Sequence, residues 1–242
     1  MSSLRILAAG LLASALAVVP PLATSHAESS PASRTQACAH GYVALTFDDG
    51  PSTTTTAILQ ALHDNGLTRA TFFNIGAQEQ LHPDLVTAEQ AAGQWPGDHT
   101  YSHPFLDELT TSQAAAEILG TQQIHEQLTG VREALFRPPY GRTTPEIRAL
   151  ARSMGMTEVL WTVDTQDYAG ATTAHIVATA LAAHRGDIIL MHDAGYATTV
   201  AAVPQIVRGL ADRGICAGRV VPTRHPVTAW PGTTFFATAG RW

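Results

Sequence analysis

Two adjacent carboxylates, Asp48 and Asp49, close an apolar run from Tyr42 to Phe47 and are followed by Gly50-Pro51. Groups that close repel one another unless a cation or a shared proton separates them. Asp-Gly is also a common hairpin signal, but no second strand follows. Ser52 to Thr56 leads instead into Ile58, Leu59 and Leu62 at helical spacing, closed by Gly66. A strand, a carboxylate-bearing turn and a helix is the layout of a site at the C-terminal end of a β/α unit. Further along, His99 and His103 are separated by three residues. On a helical turn both would share one face and one ion, whereas Pro104 disfavours helix at His103 and allows an irregular turn instead. Thr100, not Glu, follows His99, so the His-Glu-x-x-His protease signature is absent. Two imidazoles and a carboxylate make a three-donor metal set with positions left for water.

The elements that must carry these groups alternate. Strands are predicted over Tyr42–Phe47, Ala70–Gly76, Ala134–Phe136, Glu158–Val163 running into Asp164, and Asp187–Met191 running into His192-Asp193. Helices are predicted over Asp84–Ala92, Asp107–Leu128, Thr144 or Pro145 to Met154, Ala171–His184 and Thr198–Arg213, the last kinked or split at Pro204. Gln94 to Pro104 reads as irregular, broken by Pro96-Gly97. Alternating strands and helices imply a parallel α/β fold. Polar residues gather after the strands, which favours a distorted or incomplete (β/α) barrel in a single domain. No Gly-x-Gly-x-x-Gly is present to support dinucleotide binding.

The ends of the chain read differently. Met1–Arg5 is a short basic start, Ile6–Val19 an apolar core too short to span a bilayer comfortably, and Ser25-His26-Ala27 a small-x-small cleavage signal. Residues 1–27 are therefore expected to be a secretory signal peptide, 28–37 a flexible start, 38–220 the folded domain and 221–242 an irregular tail. The expected protein is secreted, extracellular, free of the membrane after cleavage, and monomeric. A net charge of −6 argues against a nucleic-acid partner, which needs a basic footprint. In an exported chain the two cysteines, Cys38 and Cys216, are expected to form a disulfide, worth roughly 5 kcal/mol at most for so long a loop.

Five stretches in order carry a family resemblance: Thr46-Phe47-Asp48-Asp49-Gly50-Pro51, His99-x-x-x-His103-Pro104, Arg137-Pro138-Pro139-Tyr140-Gly141, Asp164-Thr165-Gln166-Asp167-Tyr168 and Leu190-Met191-His192. Together they resemble the motifs of NodB-type polysaccharide deacetylases, carbohydrate esterase family four, across about Cys38 to Gly218. The cysteine pair, the phrase Gly41 to Pro51 and Leu160-Trp161-Thr162-Val163-Asp164 are most similar to small secreted actinobacterial acetylxylan esterases.

The resemblance implies a NodB-type incomplete barrel and a site with assigned roles. Asp49, His99 and His103 would hold one divalent metal, zinc first, with cobalt or manganese as alternatives, to polarise an acetyl carbonyl and acidify water. Asp48 would be the general base, tethered by Arg137. The Tyr140 backbone N–H would help stabilise the oxyanion. His192 would protonate the leaving group, oriented by Asp167, although Asp164 could exchange roles with it. Tyr168, where relatives commonly have Trp, would form an aromatic wall of the substrate groove. Asp98 stands where relatives often have Asn and would place an extra negative charge beside the metal. His40, His63, His82, His125, His175, His184 and His225 have no partner pattern and read as bland.

The substrate implied is an acetylated polysaccharide or oligosaccharide, with O-acetyl xylan ahead of the N-acetyl groups of chitin or peptidoglycan. Two other classes compete. A non-catalytic carbohydrate-binding relative should lack Asp48, a metal ligand or His192, and all are present. A His₂-carboxylate iron oxygenase fits the donor set but not the β/α alternation.

Overall fold

The computed structural model describes residues 38–67, 69–223 and 233–237; the expected signal peptide and flexible start lie outside them. Strand β1 (Gly41–Asp48) is the hub. It pairs in parallel with β7 (Ile188–His192) on one edge. On the other edge it meets β8 (Ile215–Thr223) through its first half and β2 (Thr71–Asn74) through its last. Outward from β2 come β3 (Trp95–Asp98), β4 (Leu135–Phe136) and β5 (Thr157–Glu158), and outward from β7 comes β6 (Val163–Asp164). Every pairing among these strands is parallel. The curled sheet ends at β5 and β6, which follow one another in sequence without pairing, so the barrel is incomplete, as the resemblance implied.

The single strand predicted over Glu158–Val163 is thus two short ones. The physical reason lies at Val159 and Leu160, whose carbonyls accept from the Arg137 guanidinium instead of from a neighbouring strand. Conversely, the stretch expected to be irregular contains β3. Gly97 makes it possible, because a Cβ there would overlap the Phe73 ring of β2. The tail expected to be irregular carries the end of β8 and β9 (Thr233–Ala237), which pair in parallel.

The helices are α1 (Thr55–Asp64), α2 (Gly76–Leu81), α3 (Pro83–Ala91), α4 (Thr111–Thr129), α5 (Pro145–Ser153), α6 (Thr173–Leu181) and α7 (Ala197–Asp212). α4 starts later than the apolar pattern suggests because Thr110 and Gln113 form a reciprocal capping box, leaving Leu106–Glu108 as a single 3₁₀ turn. α7 runs on through Pro204 as one helix. None of the described helices is long and apolar enough to cross a membrane.

Period-two alternation on β1 decides what faces the site. Val43, Leu45 and Phe47 turn outward into the main core with Ile58 and Leu62 of α1 and Ile206 and Leu210 of α7. Burying each such side chain contributes about 1.5–3 kcal/mol. The intervening Ala44 turns inward with Phe73, Leu135, Val159 and Ile188. Thr46 and Asp48 share that inward face, so Asp48 reaches the barrel mouth with its carboxylate pointing inside. Cys38 and Cys216 are joined by a disulfide that ties the start of the domain to β8.

Candidate active site

The turn after β1 brings both carboxylates to one side. Asp49 adopts a left-handed φ of +69°, held by its N–H bonding to the Phe73 carbonyl, and the Gly50–Pro51 peptide is cis. Gly50 must lack a side chain, because a Cβ would collide with the Asp193 carboxylate. Asp193, from the turn after β7, locks the loop: its carboxylate accepts from the Thr55 hydroxyl at 2.5 Å and its carbonyl from Thr54 at 2.8 Å. Burial first, and then the charges of Asp48 and Asp49, push the Asp193 carboxyl up to about 7.

The histidine pair sits on an irregular turn and not on a helix, with Thr100 and His103 both at positive φ. His99 Nδ1 donates to the Arg137 carbonyl at 2.7 Å. A carbonyl can only accept, so this bond fixes the tautomer and leaves Nε2 as a free donor atom for a metal. His99 Nε2 lies 3.2 Å from His103 Nε2 and 3.4 Å from Asp49 Oδ1, and His103 Nε2 lies 3.2 Å from the same oxygen. Asp49 Oδ1 is buried and has no hydrogen-bond partner. Three donor atoms converging on one point, one of them unsatisfied, fit a divalent cation. Burial and the neighbouring His99 lower the His103 pKa, favouring the neutral ring that a ligand requires. Burial opposes ionisation of Asp49, but His99, His103 and His192 outweigh it and lower its carboxyl to about 2.

Arg137 enters the barrel interior after β4 and is fully buried. Its Nη1 donates to Asp48 Oδ1 at 2.7 Å and to Thr46 at 2.8 Å, and its guanidinium lies 4.1 Å over the Phe73 ring. Arg137 and Asp48 thus meet as a buried ion pair. Asp48 Oδ2 faces His99 Nε2 at 3.7 Å.

Across the pocket, the β1–β7 register sets His192 beside Asp48. Asp167, not Asp164, meets it: Asp167 Oδ1 accepts from His192 Nδ1 at 2.8 Å, and Oδ2 from the His192 backbone N–H at 2.8 Å and from Thr199 at 2.7 Å. Asp164 instead accepts from Tyr168 OH at 3.2 Å. Burial disfavours a charged His192, yet the Asp167 bond and the charges of Asp48, Asp167 and Asp49 prevail and raise its pKa above the ordinary value.

Asp98 departs from expectation. Its side chain accepts from the Thr100 N–H at 2.8 Å, and the charges that act on it are those of Glu79 and Glu117, with Glu133 also in range. Asp193 and Thr46 carried no predicted role; both reveal themselves only through partners far away in sequence, Thr54 and Thr55 for Asp193, Ile189 and Arg137 for Thr46. The open pocket of about 420 Å³ is lined by the carboxylates, the histidines and an aromatic rim of Tyr140, Trp161, Tyr168 and Tyr196. Tyr140, at φ +60°, meets His103 edge-on and packs at a tilt against Phe105.

Comparison with known proteins identifies the family of this fold. A polysaccharide deacetylase family model matches residues 36–159. The solved structure of a family 4 carbohydrate esterase from Streptomyces lividans, in complex with acetate, is 46% identical over 74% of this chain and 92% of that one, with a TM-score of 0.71. A bifunctional xylanase/xylan deacetylase from Cellvibrio japonicus is 37% identical over 75% of this chain. A peptidoglycan-N-acetylmuramic acid deacetylase from Bacillus subtilis is 38% identical over 71%. The chain spans only 27% and 36% of those two curated relatives' own lengths. The carboxylate pair, the histidine turn, the buried arginine and the paired histidine all stand at strand ends of one incomplete barrel, and the chain belongs to the polysaccharide deacetylase family.

Proposed function

We propose that this chain is a secreted, metal-dependent hydrolase that removes acetyl groups from a polysaccharide, with O-acetylated xylan as its preferred substrate. The observation that carries the reading is that two charge-paired groups, Asp48 with Arg137 and His192 with Asp167, line one pocket from neighbouring strand ends. A divalent cation held by Asp49, His99 and His103, zinc in our reading, would polarise the acetyl carbonyl and acidify an attacking water.

The protein's own groups do the rest. Asp48, its charge neutralised by Arg137, takes the proton from the water. His192 donates its proton to the departing sugar oxygen, and the raised pKa that Asp167, Asp48 and Asp49 give it favours the protonated ring this step needs. Asp167 fixes the ring so that Nδ1 is committed and Nε2 faces the pocket. The Tyr140 N–H assists the developing oxyanion. Tyr168 and the other rim aromatics offer flat faces to sugar rings.

The xylan reading rests on the likeness to the Streptomyces esterase and the Cellvibrio xylan deacetylase. The Bacillus relative supports N-deacetylation of peptidoglycan as the alternative. Acetate release from acetylxylan, chitin oligomers and peptidoglycan, measured side by side, separates them. Faster release from acetylxylan is expected, and no release from any of the three refutes the enzymatic reading.

A further inference from the structure

Besides the residues that line the pocket, the described residues hold an unusual concentration of buried acid. Glu79 of α2, Glu89 of α3, Asp98 at the end of β3 and Glu133 before β4 are all buried, with His125 of α4 among them. The hydrogen bonds there do not go round. His125 Nδ1 meets Glu79 Oε1 at 2.8 Å, and Asn74 Nδ2 donates to Glu79 Oε1 at 3.2 Å and to Glu89 Oε2 at 2.8 Å. Glu79 Oε2, Glu89 Oε1 and Asp98 Oδ2 are left without a partner. So are both carboxylate oxygens of Glu133, although its Oε1 comes within 4.0 Å of His125 Nδ1.

A buried carboxylate with neither donor nor counter-charge costs several kcal/mol. Burial and the neighbouring acids push the carboxyls of Glu89 and Glu133 well above the usual range. Something positive must enter, either protons or a cation. Donor atoms from Glu79, His125 and Glu133 lie within 4.8 Å of one another, a spacing that small side-chain shifts bring onto one ion. A small pocket of about 160 Å³ reaches His125 and Glu89 from outside, past Val86 and Trp95.

We propose that Glu79, His125 and Glu133 form a second, structural metal site for a divalent transition ion. Two carboxylates and one imidazole suit Mn²⁺ or Zn²⁺. Bound there, the ion joins α2, α4 and the approach to β4, and so braces β3, whose end carries His99. The site is separate from the catalytic one and does not depend on the function proposed above.

The test counts ions on the full chain after saturation with Zn²⁺ or Mn²⁺ and removal of excess, by inductively coupled plasma mass spectrometry. Two ions per wild-type chain are expected. One should remain when D49A/H103A removes the catalytic set, and adding E133Q to that variant should weaken its retention at least tenfold. The melting temperature of D49A/H103A should rise with added metal and fall with chelator. E79Q takes the place of E133Q if the latter does not fold. No ion on D49A/H103A, or an ion there indifferent to both Glu→Gln changes, overturns the proposal in favour of a proton-held cluster, whereas a single ion on the wild-type chain that persists on D49A/H103A supports it and counts against the catalytic set instead.

Discussion

Replacing Arg137 by Met removes the guanidinium that meets Asp48 inside the barrel, and the cost follows from the contacts. The side chain is fully buried and donates to Asp48, Thr46, Val159 and Leu160. Removing one partner of a buried ion pair costs about 3–5 kcal/mol, because the remaining charge has no compensation. At about 2–4 °C per kcal/mol for a domain of this size, R137M should melt roughly 6–20 °C below wild type. D48N alone strands the arginine and should carry a penalty of the same order. The double variant D48N/R137M strands neither charge, so its loss should fall short of the summed single losses by at least ~1.5 kcal/mol. Activity should not follow stability: all three variants lose acetate release, since the base or its tether is gone in each. Urea unfolding and acetate release on the same preparations read both quantities. Penalties that add within ~0.5 kcal/mol would show that the two residues do not act as a pair, and the assigned roles would fall with it.

D167N should lower turnover by roughly 10²–10⁴ at neutral pH, the usual worth of a positioned general acid. Asp167 helps raise the His192 pKa, so activity that needs the protonated ring falls as pH rises through that raised value, and in D167N the alkaline limb should move to lower pH; an unmoved pH–rate profile would refute the pairing. The same raised pKa stabilises the fold fully below about pH 6.5, a contribution lost as pH climbs through the folded value, and D167N should remove it in melts across that range. D49A should bind one ion fewer per chain than wild type, whereas D48N should keep the full count while losing turnover; metal analysis distinguishes them. Q166G relieves a left-handed φ of +56° at an exposed side chain, so unfolding free energy should be unchanged or rise by up to ~1 kcal/mol with activity intact, and a loss above ~1 kcal/mol would contradict the strain.

The parts of the site that were legible in the sequence are those whose chemistry is local. Asp48 and Asp49 end an apolar strand, and His192 ends another, so pattern and residue type coincide there. Arg137 was legible only through its motif, since nothing local says that an arginine beside two prolines enters a barrel. The choice between Asp164 and Asp167 was not legible. It depends on Gln166 taking a left-handed φ, which turns Asp167 under β7 and leaves Asp164 beside Tyr168. β3 was hidden by Pro96-Gly97, residues that ordinarily break strands. Here β4 is two residues long and meets β3 at Asp98 alone, so Pro96 has little ladder to interrupt. His125 read as bland because its partner Glu79 lies 46 residues away in sequence.

The left-handed residues explain why the pocket looks as it does. Among the described residues, those other than glycine at positive φ are Asp49, Thr100, His103, Tyr140 and Gln166, and each lies in a loop around the pocket. Such a backbone costs an L-residue about 1–2 kcal/mol, together a sum comparable to the net stability of a domain. Glycine would avoid most of it, yet three of these positions carry side chains that line the pocket. The surroundings offset the strain locally. The Asp49 N–H reaches the Phe73 carbonyl, the Thr100 N–H the Asp98 carboxylate, the His103 N–H the Thr100 hydroxyl, and the Gln166 N–H the Asp164 carboxylate. What the strain achieves is direction. Consecutive strand residues face opposite ways, and only by turning left-handed at Asp49 can the second carboxylate join the histidines while the first stays with Arg137. The division of labour proposed for Asp48 and Asp49 therefore rests on backbone conformation, not on any difference between the two side chains.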